Sequence, residues 1–399
     1  MERKRFGLLC GLSLVAVQGM AAPQYASIEL DEGFFMTPAL DVDLEYDDNI
    51  FQTETNEKSS VVTRVAPAVE WEVRQERTRA ALSYAGNYSF FADSSDDNVA
   101  NHVVQADFGA TGARSSLDLY GAFARGSDAR GTGPSDGLGN ALTLQIFDEP
   151  TEFDEWSWGA AAAVKPGGRL GVNVGYDFLD KEYQNFRQFT RARDRSRGTY
   201  SLGFDYVLTG KTSAILNLSR SEIDYDFTPA GAATLDSKQD RITAGLRWEA
   251  TARTTGSVEF GWHEKDFDAP TRDKTDGFAW AASIDWAPRT YSVFTLKTGN
   301  SFTEADNVGS AKETSTAGVA WKHGWSDRLS TITGLEYVRE DYKDFARKDD
   351  FYRFRLEFDY DFRRWMTLAA GVNISSRDSN QSRADFDRNI VFLRAMMSL

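Results

Sequence analysis

The chain has 399 residues, 13% of them aromatic, and a formal net charge of −15 at pH 7. So acidic a chain does not favour the basic face by which proteins bind nucleic acid, and a nucleic-acid partner is not expected. The only cysteine, Cys10, lies near the N-terminus, so the rest of the sequence has no thiol for a disulfide or for cysteine chemistry.

The first 21 residues have the pattern of a secretory signal peptide, predicted to span 1–21. Residues 3–5 are basic, residues 6–17 are mostly apolar, and Ala21 ends a segment of small residues suited to cleavage. The apolar stretch is too short to span a bilayer; a buried N-terminal helix is the alternative interpretation. Residues 22–36 alternate poorly and are predicted to form a periplasmic lead-in. Export without a helical anchor predicts a cell envelope that has an outer membrane.

From residue 37 onward the polarity alternates with a period of two. In residues 200–208 every second position is Tyr, Leu or Phe, with mostly small or polar residues between them. In residues 352–362 six apolar residues alternate with charged ones. A helical period of 3.6 residues would mix the two sets, whereas a strand places them on opposite faces. The alternation therefore predicts one all-β domain over residues 37–399.

Eight tight turns divide this domain into hairpins. They are predicted near residues 76–78, 113–114, 166–169, 209–211, 252–253, 288–289, 326–328 and 363–364. The predicted strands are 37–51, 59–75, 78–91, 99–113, 114–126, 153–165, 169–183, 194–208, 211–226, 238–251, 253–266, 274–287, 290–303, 312–325, 328–342, 350–362, 365–378 and 385–399. This meander predicts a transmembrane antiparallel up-and-down β-barrel of about 18 strands (16–18), with short periplasmic turns and longer extracellular loops.

A soluble β-sandwich shows the same alternation, so other features distinguish the two. The apolar faces are long, and the opposite faces have charges of both signs. Aromatic residues gather near predicted strand ends, for example Trp156, Trp286 and Trp365. These features are typical of strands that separate lipid from a wet lumen, with aromatic residues at both interfaces. We therefore expect contact with outer-membrane lipid and lipopolysaccharide.

The longest connection, residues 127–152, contains a glycine-rich segment at 130–137. Its glycines suggest a phosphate-binding loop, but the Gly-Lys-Ser/Thr pattern and the strand-to-helix context are missing. A flexible surface loop, or a loop that folds into the lumen as a constriction, is the preferred interpretation. The acidic loops in general are interpreted as a solvated rim, with divalent-cation binding beside lipopolysaccharide phosphates as the alternative.

The chain offers little for catalysis. Its three histidines, His102, His263 and His323, lie in no recognisable hydrolase motif, and no His/Cys cluster has metal-ligand spacing. The predicted topology places His102 and His263 toward the extracellular side and His323 toward the periplasmic side. No enzymatic activity, catalytic residue, metal site or cofactor is predicted.

Several short segments resemble a known family. The opening segment, residues 45–51 (EYDDNIF), is the most specific; residues 84–93, 128–133, 183–187 and 193–195 add support. Together they resemble the putative β-barrel porin 2 family over nearly the whole chain after the signal peptide. Members are outer-membrane barrels often associated with capsular or extracellular polysaccharide. The resemblance implies an outer-membrane pore that exports a secreted polysaccharide with a periplasmic polysaccharide export protein, and it implies no catalytic residues.

A barrel of about 18 strands is wide enough for a water-filled channel. Nine charged residues at inward positions are predicted to line it: Asp205, Arg247, Glu249, Glu259, Asp285, Arg353, Arg355, Glu357 and Asp359. Such a wall could exchange hydrogen bonds with sugar hydroxyls, or the same residues could pair across strands and hold the barrel rigid. Two functions remain open: polysaccharide export, which residues 45–51 favour, and a general diffusion porin or small-solute channel.

Overall fold

Eighteen antiparallel strands form a closed barrel in the computed structural model, which describes residues 27–137, 146–251 and 253–398. The strands, after a short β1 (Ile28–Asp31), are β2 (Phe34–Asp47), β3 (Ser60–Arg74), β4 (Thr78–Phe91), β5 (Val99–Thr111), β6 (Ser115–Asp128), β7 (Thr151–Gly167), β8 (Leu170–Tyr183), β9 (Arg195–Thr209), β10 (Thr212–Tyr225), β11 (Ser237–Thr251), β12 (Thr254–Phe267), β13 (Thr275–Arg289), β14 (Ser292–Glu304), β15 (Ala311–Gly324), β16 (Leu329–Lys343), β17 (Lys348–Arg363), β18 (Met366–Ser379) and β19 (Phe386–Ser398). Each strand pairs with the next along the chain, and β19 closes the barrel on β2. Closure removes the two exposed edges of an open sheet. The predicted fold class and strand count are confirmed.

The strands separate apolar from polar side chains by face, as the alternation predicts. In β17, Tyr352, Phe358 and Tyr360 are 43–48% exposed on the outer wall, whereas Glu357 is 1% exposed on the inner wall. Large apolar side chains are exposed in this way on strands all around the barrel. An outer surface of this kind is suited to a membrane, because apolar side chains on the outside of a barrel face lipid and not water.

Tight turns lie at one end of the barrel and long loops at the other. Seven of the eight predicted turns overlap the connections between the described strands. The turn predicted at 166–169 is shortened to 168–169 because β7 extends to Gly167, and the turn predicted at 288–289 is displaced to 290–291 because β13 extends to Arg289. The turns predicted at 166–169 and 288–289 contain Pro166 and Pro288. Both prolines instead lie where the register shifts, between Val164 and Gly167 and between Trp286 and Arg289. A bulge tolerates a residue that has no N–H group.

The long loops contain only short helical turns within the described residues. These are α1 (Arg187–Thr190) and 3-10 turns at Ser95–Asp97, Gly133–Ser135, Arg191–Arg193 and Ser382–Ala384. No helix in the described part of the chain has the length and apolar character needed to cross a membrane.

The N-terminal segment adds one strand beside the barrel. β1 pairs with the start of β2, with Ile28 opposite Met36, along the edge of β2 that β19 leaves uncovered beyond Ala39. β2 itself begins at Phe34 rather than at residue 37, because its pairing with β3 starts there. The predicted signal peptide, residues 1–21, lies outside the described residues, so its cleavage and the periplasmic position of residues 22–36 stay predictions.

One ladder of the barrel is incomplete. β13 and β14 pair from Ala281, opposite Gly299, to the tight turn, and the ladder stops above that pair. Side chains bridge the unpaired part: Arg241 donates to the carbonyl oxygens of Asn300 (2.7 Å) and Trp280 (3.1 Å). The Trp280 N–H donates to the side-chain oxygen of Asn300 at 3.0 Å. Side-chain hydrogen bonds therefore replace missing ladder bonds at this seam.

Replacing Arg241 with Ala should destabilise the barrel. The change removes two hydrogen bonds from a charged donor, each of which contributes about 1.5–3 kcal/mol. We expect Arg241→Ala to lower the urea midpoint of unfolding in detergent micelles. The control is Arg220→Ala on the adjacent strand, because Arg220 pairs with Asp240 on the exposed outer wall, where ion pairs contribute little. Equal midpoints for the two variants would contradict the role of Arg241 at the seam.

Candidate channel and extracellular mouth

The nine residues predicted to line the lumen all occupy the inward register of their strands. Residues that are directly paired across two strands lie on the same face of the sheet. The inward positions of one strand therefore identify the inward positions of the next strand, and so on around the barrel. Asp205 and Arg247 form an ion pair at 2.7 Å although β10 lies between their strands. Glu259 accepts hydrogen bonds from Asn217 (2.8 Å) and Thr243 (2.7 Å) on the two preceding strands. Contacts that cross a strand in this way require side chains on one common surface.

Neighbouring polar side chains pair with most of the other predicted residues. Asp285 accepts a hydrogen bond from the Thr295 hydroxyl at 2.6 Å. Arg353 donates to Glu336 at 2.9 Å. A wall built from such pairs presents hydrogen-bonding groups without a strong net field at these points.

Four of the nine residues, Arg353 included, form a charged row on β17. Arg355 donates to Glu357, which is almost fully buried. The Oδ1 atom of Asp359 is buried without a hydrogen-bond partner within the described residues. Glu249 lies instead near the tight turn after β11, where its backbone N–H donates to the Lys211 carbonyl oxygen at 2.8 Å. The predicted residues therefore share a face but not one cluster.

Charged pairs at the closing seam are functional-site neighbours that were not predicted from the sequence. Asp43 accepts from Arg394, and Asp47 accepts from Arg388 Nε at 3.1 Å to both carboxylate oxygens. The two carboxylates are 4% and 2% exposed, so each buried charge has a cationic partner on β19. Acidic residues at alternate positions of β2 were the available signal. Their partners are more than 300 residues away in sequence, as in the pair 47–388, and no local pattern identifies them.

The most specific family segment, residues 45–51, builds the loop end of this seam. Asn49 is fully buried and donates through Nδ2 to the carbonyl oxygens of Thr53 and Asp387, both at 2.8 Å. Its Oδ1 accepts from the Thr53 N–H at 3.1 Å. One amide side chain thus fixes the β2–β3 loop and attaches it to the first residues of β19. The segment has a clear structural role in closing the barrel.

The loop between β6 and β7 extends across the long-loop end of the barrel. In its described segment 129–137, Asp136 accepts from Arg347 (3.0 Å) and from Arg377, and the Asp136 carbonyl oxygen accepts from Asn307 (2.8 Å). Asn307 lies in the β14–β15 loop, which eight strands separate from the β6–β7 loop on one side and ten on the other. In an 18-strand barrel these two loops lie on nearly opposite walls. The loop therefore spans the mouth.

The contact of Asp136 with two arginines is a buried electrostatic clamp. The side chains of Arg347 and Arg377 are each 3% exposed. Burial by itself would raise the pKa of Asp136, but the positive charges of Arg377 and Arg347 outweigh it and hold this pKa below its usual range. Asp136 is therefore ionised at neutral pH, and it neutralises guanidinium groups that are costly to bury alone.

The start of the same loop is fixed to the nearer wall. Arg130 donates to Asp97 in the β4–β5 loop at 2.7 Å, and its guanidinium lies 4.2 Å from the centre of the Phe51 ring. Gly131 has φ +84°, and a Cβ atom there would lie 1.8 Å from the Phe51 carbonyl oxygen. Glycine is needed here for a positive φ and a close backbone approach. The glycines that resemble a phosphate loop serve loop packing at this position.

The three histidines lie at the predicted ends of their strands. On the outer wall, His102 is hydrogen-bonded to the Tyr84 hydroxyl at 3.0 Å. His263 is fully buried and stacks on Phe302 with ring centres 4.2 Å apart. His323 packs 4.3 Å from Trp325 near the tight-turn end. Within the described residues, no group of three or more His, Cys, Asp or Glu side chains could hold a metal ion.

Comparison with known sequences identifies the family. The model of the putative β-barrel porin 2 family matches residues 31–398, which is almost the whole barrel. The chain belongs to this family. It is a porin-like β-barrel of the outer membrane, where lipid and lipopolysaccharide surround its outer wall. A search of curated proteins finds no sequence match to this chain.

Solved structures share the fold at low sequence identity. OccK2 (OpdF) of Pseudomonas aeruginosa superposes with a TM-score of 0.51 and 12% identity, covering 91% of this chain and 98% of that one. The FrpB iron transporter of Neisseria meningitidis (F5-1 variant) gives a TM-score of 0.51 and 11% identity, covering 88% of this chain and 64% of that one. This chain thus spans less than two thirds of FrpB. At these identities the likeness concerns the fold alone.

Proposed function

We propose that this barrel is a passive outer-membrane channel for small solutes, narrowed at its extracellular mouth by the β6–β7 loop. The observation that carries the proposal is the span of that loop, whose Asp136 binds Asn307 and Arg347 on nearly the opposite wall. Barrels of 16 to 18 strands enclose an aqueous lumen. A loop tied across one end divides the wide opening into narrower passages, which suit small solutes. No catalytic chemistry is part of this proposal.

The inward residues are proposed to line the passage. Ion pairs such as Asp205–Arg247 keep charges of opposite sign side by side along the wall. A hydrophilic solute can exchange hydrogen bonds with such pairs without meeting one dominant charge that would trap it. The same pairs also hold adjacent strands together, so the two alternatives considered for these residues are compatible.

Export of a polysaccharide, implied by the family resemblance, has less support than the small-solute alternative. A polymer that crosses the mouth would have to displace the clamp of Asp136 on Arg347 and Arg377. Neither the family description nor the two superposed structures names a polysaccharide or a periplasmic export protein. The comparisons therefore fit a small-solute channel better.

Conductance and uptake measurements test the proposal. The purified protein should form ion-conducting pores in a planar bilayer in KCl, and liposomes that contain it should swell in small sugars faster than protein-free liposomes. Deleting the gene in its native strain should slow uptake of small hydrophilic solutes and leave surface polysaccharide unchanged. Loss of surface polysaccharide with normal solute uptake would favour the export pore instead.

A further inference from the structure

A pocket lined by aromatic rings and arginines lies among the extracellular loops. Its volume is about 440 Å³, within the range of small-molecule sites. Residues of the loops that follow β6, β8, β10 and β14 form its walls, so it is located at the mouth of the barrel. Its aromatic members are Phe147, Phe189 and Phe227, and its basic members are Arg191 and Arg193.

Arg193 is a half-buried cation of this pocket. Its Nη2 donates to the Asn307 carbonyl oxygen at 2.5 Å, whereas Nη1 is buried and has no hydrogen-bond partner within the described residues. No carboxylate of the described residues forms an ion pair with Arg193. Burial lowers the pKa of this guanidinium, and the nearby negative charge of Asp306 opposes this shift without cancelling it. Burying a charged group that has an unpaired donor costs free energy unless an anion interacts with that group.

The remaining charges of the pocket leave it positive. Asp306 is the one carboxylate among the described wall residues, and it already accepts from Arg195 at 2.8 Å. Arg191 lies 3.7 Å from the centre of the Phe227 ring and adds a second positive charge beside an aromatic face. The charge of Asp306 is thus neutralised by Arg195, while no carboxylate of the described residues forms an ion pair with Arg191 or Arg193.

The apolar part of the pocket is suited to a planar ring. Phe147 is 4% exposed and packs 5.8 Å, centre to centre, from Phe189, which is 49% exposed. Pro134, on the same loop as Phe147, and Pro229, on the β10–β11 loop, add apolar wall. An aromatic ring beside these phenylalanine rings is stabilised by offset-stacked or edge-to-face contacts in addition to the burial of its surface. Sugar hydroxyls would need hydrogen-bond partners that proline and phenylalanine side chains cannot provide.

We propose that this pocket recognises small aromatic carboxylates and receives them before they enter the channel. The carboxylate pairs with the guanidinium groups of Arg191 and Arg193, and the ring packs between Phe189 and Phe227. This inference rests on the proposed channel function, because it names the solute class that the mouth selects.

Benzoate is the probe that tests the site. Calorimetric titration of the full-length protein in detergent should detect benzoate binding. Benzyl alcohol, which has the ring without the charge, should produce no heat of binding. Glucuronate, which has the charge without the aromatic ring, should bind more weakly than benzoate. Arg193→Gln should weaken benzoate binding by about tenfold or more, since a hydrogen bond to a charged group is lost. Arg193→Lys keeps the charge but loses the planar guanidinium group, so its affinity for benzoate should lie between those of the wild type and Arg193→Gln. The matched control is Arg220→Gln on the outer wall, which should bind benzoate as the wild type does.

Several outcomes would overturn the proposal. Equal affinity of the wild type and both Arg193 variants, each shown to retain the barrel by heat-modified gel mobility, would exclude Arg193 as the anion ligand. Preference for glucuronate would replace the aromatic acid with a sugar acid. Pores in KCl without benzoate binding would reject this site and leave the channel intact, whereas benzoate binding without pores would reject the channel alone.

Discussion

Asp136→Asn should open the extracellular mouth and raise the single-channel conductance. The substitution removes the negative charge that binds Arg347 and Arg377 while it keeps the size of the side chain. Two hydrogen bonds between charged groups contribute about 3–6 kcal/mol together, at about 1.5–3 kcal/mol each. A loss of that size is enough to shift the loop from a tied to a released state in most molecules. Cells that express the variant should become more sensitive to hydrophilic antibiotics.

Asp148→Asn is the matched control for this result. Asp148 lies in the same loop and is exposed, so removal of its charge should leave the conductance unchanged. Acid should reproduce the effect in the wild type. Because the pKa of Asp136 is below its usual range, the clamp is complete at neutral pH and is lost only as the pH falls through that lowered pKa. Unchanged conductance in Asp136→Asn would mean that the loop does not narrow the channel.

Phe204→Arg should impair insertion of the barrel into a bilayer. Phe204 lies on the outer wall of β9, opposite Leu216 of β10, and near the middle of its strand. An arginine that faces lipid at the bilayer midplane costs about 2–4 kcal/mol. We expect a lower yield of folded protein in liposomes, measured by resistance to protease and by the shift in gel mobility on heating.

Ser201→Arg tests the opposite face of the same strand. Ser201 faces inward and is exposed, so an arginine there can remain hydrated and should leave the folding yield near that of the wild type. Gly203 is less suitable, because a Cβ atom at that position would already lie 3.1 Å from Asn217 Oδ1. If Phe204→Arg and Ser201→Arg folded with equal yield, the assignment of the two faces would be wrong.

The fold could be predicted from the sequence because the pattern that determines it, the alternation of apolar and polar residues, is local. Alternation in β17 assigns Tyr352 to the outer wall and Glu357 to the inner wall without any knowledge of their neighbours. Tight turns between such strands restrict each pair to a hairpin. A chain of hairpins with one apolar face has few ways to cover its edges other than closure. The errors at Pro166 and Pro288 arose because a bulge, unlike a turn, has no distinct local pattern.

The contacts at the extracellular mouth were harder to predict from the sequence, because they join loops that are far apart along the chain. The residues from 130 to 137 suggested flexibility or constriction, but nothing near Asp136 indicates that its partners are Arg347 and Arg377. Likewise, the unpaired Nη1 of Arg193 depends on where Asn307 and Asp306 lie after the barrel has closed. Charged residues in loops are common, and only their arrangement in space distinguishes a solvated rim from a clamp or a ligand site.

The closing seam has a consequence for how the barrel assembles. Every other ladder of the barrel joins strands that are adjacent in sequence, whereas β2 and β19 join its two ends, as in the pair 47–388. Such a contact carries the largest loss of chain entropy on closure, so we expect it to form last. Until then Asp43 and Asp47 lack their cationic partners, and two strand edges can pair with another chain. Substitution of Arg388 or Arg394 should therefore slow the final step of insertion more than it alters the finished barrel.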